Sequence, residues 1–222
     1  MTSTKNVTKE ASYWNNFYAK WQIDVPSQFC VLTATEVKQE TTIVEFGCGN
    51  GRDSIYLSKQ GFRVYACDLS KEAISKNTEK ISGIPDAPLF SICDCTNVAD
   101  VDQLIQKARS SSGAADEGGN ITIYNRFFIH SITESQQEIF LTALGNSLVS
   151  GDGLLMEFRC SLDEALPKVT GTDHYRRYIE TKDLLVLLDS LGFDIEYEYT
   201  GQGMAKYKDE DAFVSRIIAK RR

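Results

Sequence analysis

Short β-branched and aliphatic runs alternate along the chain with longer amphipathic stretches. The clearest instance is residues 41–59. Ile43 and Val44 lead into Glu45, glycines follow at alternate positions 47, 49 and 51, and Asp53, Ile55, Tyr56 and Leu57 open a helical pattern that runs to about Lys59. A buried strand, a tight glycine turn and a helix start form a layout that lets backbone approach a ligand closely. The same alternation continues. Residues 62–67 predict a second strand ending on Asp68, and residues 71–81 a helix with Ala73, Ile74 and Ile81 inward. Pro85 and Pro88 bound a connection to a third strand at 89–93, which ends at Asp94-Cys95. A helix at 98–108 and a polar loop at 110–120 precede the fourth strand, 121–124, which delivers Asn125, Arg126 and His130 at its end.

The helix predicted for 134–148 turns Ile139, Leu141, Leu144 and Leu148 inward, and the fifth strand spans 154–159. Residues 161–179 read as an irregular polar insertion, followed by a helix at 181–191 and a hairpin of strands at 194–200 and 213–219. The charged segment 206–211 between those strands reads as a solvated turn. Upstream of the glycine turn, Trp14, Phe17, Tyr18 and Trp21 share one helical face, and Pro26-Ser27-Gln28-Phe29 turns into a short helix ending near Lys38. That aromatic face either covers the core or forms a lid that excludes water. The division expected is a helical cap, 1–40, and a main domain, 41–222.

At 222 residues the chain suits one domain with at most a small appendage. Hydrophobic residues at 42% and charged residues at 25% describe a soluble globule. A formal net charge of −7 disfavours nucleic acid, whose phosphates demand a broad basic face. The polar first ten residues lack the apolar core of a signal peptide, and no apolar run reaches membrane-spanning length. A cytoplasmic location without membrane insertion is expected, so the cysteines at 30, 48, 67, 93, 95 and 160 should be reduced. Several of them fall near strand ends beside the predicted crevice. The pair at 93 and 95 has no second pair at ligand spacing, so small buried thiols rather than a metal site are expected.

A dinucleotide fingerprint would need a third glycine at position 52, where Arg52 stands. This argues against a nicotinamide-dependent oxidoreductase. The pattern present, Glu45-x-Gly47-x-Gly49-x-Gly51, resembles the first motif of the class I S-adenosylmethionine-dependent methyltransferases. The resemblance covers about residues 40–220. It implies an α/β fold: a doubly wound, Rossmann-like, seven-stranded, mostly parallel sheet with an antiparallel last strand, behind an N-terminal helical lid. It also implies S-adenosyl-L-methionine as cofactor, held by Glu45, Gly47, Cys48, Gly49, Asn50, Gly51 and Asp53, with Asp68, Leu69, Asp94, Cys95 and Asn125. An acid about 20 residues beyond a glycine loop, at the next strand end, accepts from both ribose hydroxyls. Asp68 has that place, unless it only caps the helix that follows. Asp94 matches the family's acid for the adenine amino group, or else is a turn residue.

The cofactor motif does not identify the methyl acceptor. The N-terminal Tyr-Trp…Phe-Tyr…Pro-Ser-x-Phe pattern, Tyr-x-Arg-Phe-Phe-x-His at 124–130 and His-Tyr-Arg-Arg-Tyr at 174–178 resemble a small-molecule branch found among polysaccharide biosynthesis enzymes. A small anionic acceptor methylated at oxygen is expected, bound by Tyr13, Trp14, Tyr18, Arg126, His130, Arg159, His174, Tyr175 and Arg176. Catalytic roles fall to His130 or His174 as general base and to Arg126. The alternative for Arg126 and Arg159 is pairing with Glu157 or Glu45 to hold strand ends together. An N-methyltransferase of a small metabolite and a catalytically silent S-adenosylmethionine-binding module are the competing functions. The assembly expected is a monomer or homodimer.

Overall fold

The predicted runs supply seven strands: β1 (Thr42–Phe46), β2 (Arg63–Asp68), β3 (Leu89–Ile92), β4 (Ile121–Arg126), β5 (Gly153–Arg159), β6 (Phe193–Gly201) and β7 (Val214–Arg221). The computed structural model describes residues 12–17, 23–111, 120–168 and 175–222. Six helices join the strands: α1 (Gln28–Glu36), α2 (Arg52–Lys59), α3 (Lys71–Lys80), α4 (Val98–Ser110), α5 (Glu134–Ser147) and α6 (Thr181–Ser190). Residues 12–17 are also helical.

All strands join one sheet in the order β3-β2-β1-β4-β5-β7-β6. The first five pair in parallel, and β7 runs antiparallel to both β5 and β6. The chain therefore moves outward from β1 to β3, then returns to lay β4 on the other side of β1. Ligands in open α/β sheets bind at the carboxyl ends of strands where the order reverses in this way. The glycine turn after β1 occupies that position.

Period-two alternation sends side chains of one strand to opposite faces. Ile43, Val64, Tyr124 and Leu155 pack with Phe29, Cys30, Leu57 and Ile74 from α1, α2 and α3. Val44, Phe46, Ile121 and Ile123 pack on the other face with Ile105, Phe140, Leu144 and Leu188 from α4, α5 and α6. Fully burying such a side chain contributes about 1.5–3 kcal/mol. Phe29 and Cys30 have no exposed surface, so this part of the expected cap is built into the domain core. Helix starts are fixed locally. Ser27, Ser70 and Asn97 cap α1, α3 and α4, and Thr133 with Gln136 forms a complete capping box on α5.

Element boundaries differ from expectation by at most two residues, as hydrogen-bonded ladders and caps rather than apolar runs decide where elements end. Two expectations need correction. Ile139 is exposed and Phe140 takes the core position, because the buried face of α5 is Gln137, Phe140, Leu141 and Leu144. Segment 206–211 is no solvated turn throughout, since Glu210 within it is buried.

Candidate active site

The turn after β1 is fastened to the end of β2. Gly47 and Cys48 both donate backbone N–H to Cys67 O, at 2.9 and 3.0 Å. Gly47 has φ 73°, and a Cβ built there would lie 2.5 Å from the Phe128 ring. Gly51 caps α2 with φ 71°, and its Cβ would meet Asn77 and Phe90 at 2.9 Å. Both positions therefore require glycine on conformational and steric grounds. Asp68 bridges the turn and the next helix: Oδ2 accepts from Gly49 N at 2.9 Å and Oδ1 from Ser70 N at 2.8 Å. Burial raises its carboxyl above the usual range, while the N–H groups of Ser70, Gly49 and Leu69 pull in the opposite direction.

The crevice has two chambers that share Trp14, Gly47 and Phe127 in their walls. The narrower, about 90 Å³, is lined by Phe46, Asp68, Leu69, Asp94 and Cys95 among others. The larger, about 570 Å³, is lined by Glu45, Cys48, Gly49, Asn50 and Asp53 on one side. Its remaining walls include Arg126, His130, Arg159 and Arg176. This volume lies in the ordinary range for small-molecule sites.

Helix 12–17 is docked onto this crevice by Asn15, whose Oδ1 accepts from Ser70 Oγ at 2.6 Å. Asn50 Nδ2 likewise donates to Ile23 O at 2.7 Å.

A family model described as "TehB: Tellurite resistance protein TehB" matches residues 7–103, the stretch holding the glycine turn, Asp68 and Asp94. Solved structures resemble nearly the whole chain. A SAM-dependent methyltransferase from Anabaena variabilis is 18% identical, with a TM-score of 0.72 over 97% of this chain and 95% of that one. A TehB-like SAM-dependent methyltransferase from Corynebacterium glutamicum is 16% identical, with a TM-score of 0.59 over 99% and 100%. A glycopeptide N-methyltransferase complexed with S-adenosylmethionine is 15% identical, with a TM-score of 0.62 over 89% and 88%. This is the class I SAM-dependent methyltransferase fold. No curated protein matches the sequence.

Within the methyltransferase fold, several expected donor and acceptor residues stand off the chamber walls. Gly51 faces Asn77 and Phe90 instead of the crevice. Asn125 is fully buried, and neither its Nδ2 nor its Oδ1 has a hydrogen-bond partner among the described residues. Tyr13 packs on Trp14 and Phe17, whose rings do line the large chamber. Tyr175 is exposed and outside both linings. Tyr18 and His174 lie outside the described residues.

Asp53 lines the large chamber, but its carboxylate is engaged elsewhere. It accepts from Ser27 N at 2.8 Å, Ser27 Oγ at 2.7 Å and Tyr124 OH at 2.9 Å, and Arg52 Nε lies 3.7 Å away. These bonds tie α1, α2 and β4 together beneath the turn. Nearby Glu45 accepts from Ser54 Oγ. Burial first, and then the charge of Asp53, pushes the Glu45 carboxyl well above its usual range. Burial also raises the thiols of Cys48, Cys67 and Cys95, which keeps them protonated. Among the described residues no group of three metal-ligating side chains could hold an ion.

Around Arg126 and Arg159 of the large chamber the arginines are set in an ionic frame. Arg126, Glu157 and Arg216 occupy one rung across β4, β5 and β7. Glu157 accepts from Arg126 Nε at 2.8 Å and from Arg216 Nε at 2.7 Å. Arg126 pairing with Glu157 was the structural alternative, and it is realised. Arg159 instead pairs with Asp163 at 2.6 Å and with Glu210. Phe127 sits among these groups, with the Arg126 guanidinium 4.1 Å and the Arg159 guanidinium 5.4 Å from its ring centre. Its φ of 55° is unusual for a bulky residue.

His130 is buried, and its Nδ1 accepts from Arg159 N at 3.1 Å. The neutral ring therefore carries its proton on Nε2, which makes it a donor and disfavours the general-base role.

Missed by sequence reasoning are Ser27, Phe127 and the wall formed by Ala205, Lys206, Tyr207 and Glu210. The only sequence signal for Phe127 was its place just after the fourth strand.

Proposed function

We propose that the protein transfers a methyl group from S-adenosylmethionine to a small anionic acceptor, at oxygen, in the large chamber. The observation that carries this reading is the joining of the two chambers at Gly47, Trp14 and Phe127 beside the Asp68 carboxylate. The residues present suit this donor. Asp68 offers carboxylate oxygens for a ribose diol, a narrow slot with Phe46, Leu69 and Asp94 suits adenine, and the glycine backbone admits the amino-acid end. Bound S-adenosylmethionine supplies a methyl group activated by its sulfonium. The protein aligns the acceptor with that methyl, and Trp14 and Phe17 help exclude water.

Two features favour an anionic acceptor. Arg52, Arg126 and Arg159 line the chamber against the carboxylates of Asp53 and Glu210, so its walls keep a surplus of positive charge. Arg176 and Lys206 add further cations to the chamber lining, while Glu45 is held towards its neutral form. An acceptor that arrives ionised also needs no base, which agrees with His130 acting as a donor. Phosphate-bearing or sugar-linked compounds of the kind used in polysaccharide biosynthesis belong to this class. The name of the matching family model adds tellurite, a compact oxyanion.

The test is methyl transfer from isotopically labelled S-adenosylmethionine to paired acceptors, each with and without its phosphate, with tellurite as a further arm. Wild type should label the anionic member of a pair, and Arg176→Ala should lose about 1.5–3 kcal/mol with that member alone. Equal labelling of both members by wild type would refute the anionic reading. Donor binding without product across the panel would make the chain a binding module, and labelled nitrogen would make it an N-methyltransferase.

A further inference from the structure

The connection between β6 and β7 carries a run of charges at 206–211, yet it is anchored like a piece of the core. At one end Glu210 is buried against Arg159, which also holds Asp163 at 2.6 Å. Asp163 Oδ1 in turn accepts from Phe213 N at 2.8 Å. At the other end Arg216 Nη2 donates to Met204 O at 2.8 Å, while its Nε is fixed by Glu157 at 2.7 Å. Between these anchors Tyr207 and Glu210 exchange backbone hydrogen bonds of 2.8 and 3.0 Å. The turn they close holds Lys208 at φ 53°. A non-glycine residue there costs about 1–2 kcal/mol, and such strain persists where the surroundings over-determine it.

Ion pairs taken out of water add little net stability, because desolvation offsets their attraction. The anchors are better explained by what they position. Ala205, Lys206, Tyr207 and Glu210 all line the large chamber. We infer that the β6–β7 connection is the acceptor-selecting wall of that chamber, and that Glu210, acting through Arg159, is the residue that positions it. The inference rests on the methyltransferase reading above. Lys206 and Tyr207 both line the chamber, and Lys208 Nζ lies 5.3 Å from the Tyr207 ring centre, so cation and aromatic ring occur together on this wall and the ligand class is a compact anion joined to a ring.

Calorimetry tests this with S-adenosylhomocysteine saturating and inorganic phosphate, phenyl phosphate and 1-naphthyl phosphate as probes. Wild type should bind phenyl phosphate more tightly than inorganic phosphate and distinguish the two aryl sizes. Glu210→Gln should weaken phenyl phosphate at least about tenfold and lose the size preference. It should also speed hydrogen exchange across residues 202–213 and leave S-adenosylhomocysteine affinity within about twofold. Lys206→Ala, at an exposed residue with little bearing on folding, should weaken all three probes. Aryl phosphate affinities that are equal in wild type and Glu210→Gln overturn the inference, as does no aryl phosphate binding by wild type. A parallel fall in S-adenosylhomocysteine affinity also overturns it, since that marks general loosening. Failure of wild type to bind S-adenosylhomocysteine overturns the methyltransferase reading instead.

Discussion

Replacing Glu157 by Gln tests the ionic frame behind the acceptor chamber. The Glu157 side chain is fully buried between Arg126 and Arg216, whose side chains are only 16% and 10% exposed. Glutamine keeps the shape and one acceptor, but it removes the charge that both guanidiniums share and turns an amide N–H₂ towards a donor. Removing one member of a buried ion pair costs about 3–5 kcal/mol, because the partner charge is left uncompensated. Partial exposure of the arginines places the expected loss near the lower end, about 3 kcal/mol. For a chain of this size that corresponds to a fall in Tm of about 6–12 °C. Urea unfolding should show a lower midpoint at unchanged slope. Replacing Glu157, Arg126 and Arg216 together by Met should recover much of the loss, since apolar isosteres escape the desolvation cost. A loss below about 1 kcal/mol for Glu157→Gln would mean that water already screens the pair, and the frame could not then position the wall.

Three further perturbations address the donor site and the chemistry. Asp68→Ala should weaken S-adenosylhomocysteine binding by about 1.5–3 kcal/mol, or about 10- to 150-fold, and calorimetry on the folded variant measures this. In the donor-free protein the raised Glu45 pKa means that the folded state holds its proton more tightly than the unfolded state. Stability should therefore fall as pH rises above the ordinary glutamate value of 4.5 towards the raised one, and Glu45→Gln should reduce that slope in urea titrations at successive pH values, with the raised Asp68 carboxyl supplying the remainder. With an anionic acceptor, His130→Gln should retain more turnover than His130→Ala, because glutamine can still donate. Equal loss in both, with the acid limb of the wild-type pH–rate profile abolished, would restore the general-base role.

The parts of this structure that depend on local sequence were legible in it. Ile43-Val44 before three alternating glycines determined a strand and turn, and the acids at 68 and 94 fell at the strand ends where the crevice lies. What stayed hidden depends on register and on long-range contact. Arg126, Glu157 and Arg216 become one rung only when β4, β5 and β7 are aligned. The bonds from Ser27 and Tyr124 to Asp53 span 26 and 71 residues, so the junction that Asp53 makes could not be read from the local pattern. Glu210 lies in a run of charges that composition cannot tell from a solvated turn, and Arg159, on another strand, helps to draw it inward. Ile139 was misplaced by one helical position, because both Ile139 and Phe140 are apolar and only packing decides which faces the sheet.

The most direct test of the central claim is a calorimetric titration of the wild-type protein with S-adenosylmethionine, set beside one with nicotinamide adenine dinucleotide. A crevice built on Gly49, Asp68 and Asp94, with Arg52 where a dinucleotide fingerprint needs glycine, should bind one S-adenosylmethionine per chain and no dinucleotide. Saturable dinucleotide binding with no heat from S-adenosylmethionine would contradict it.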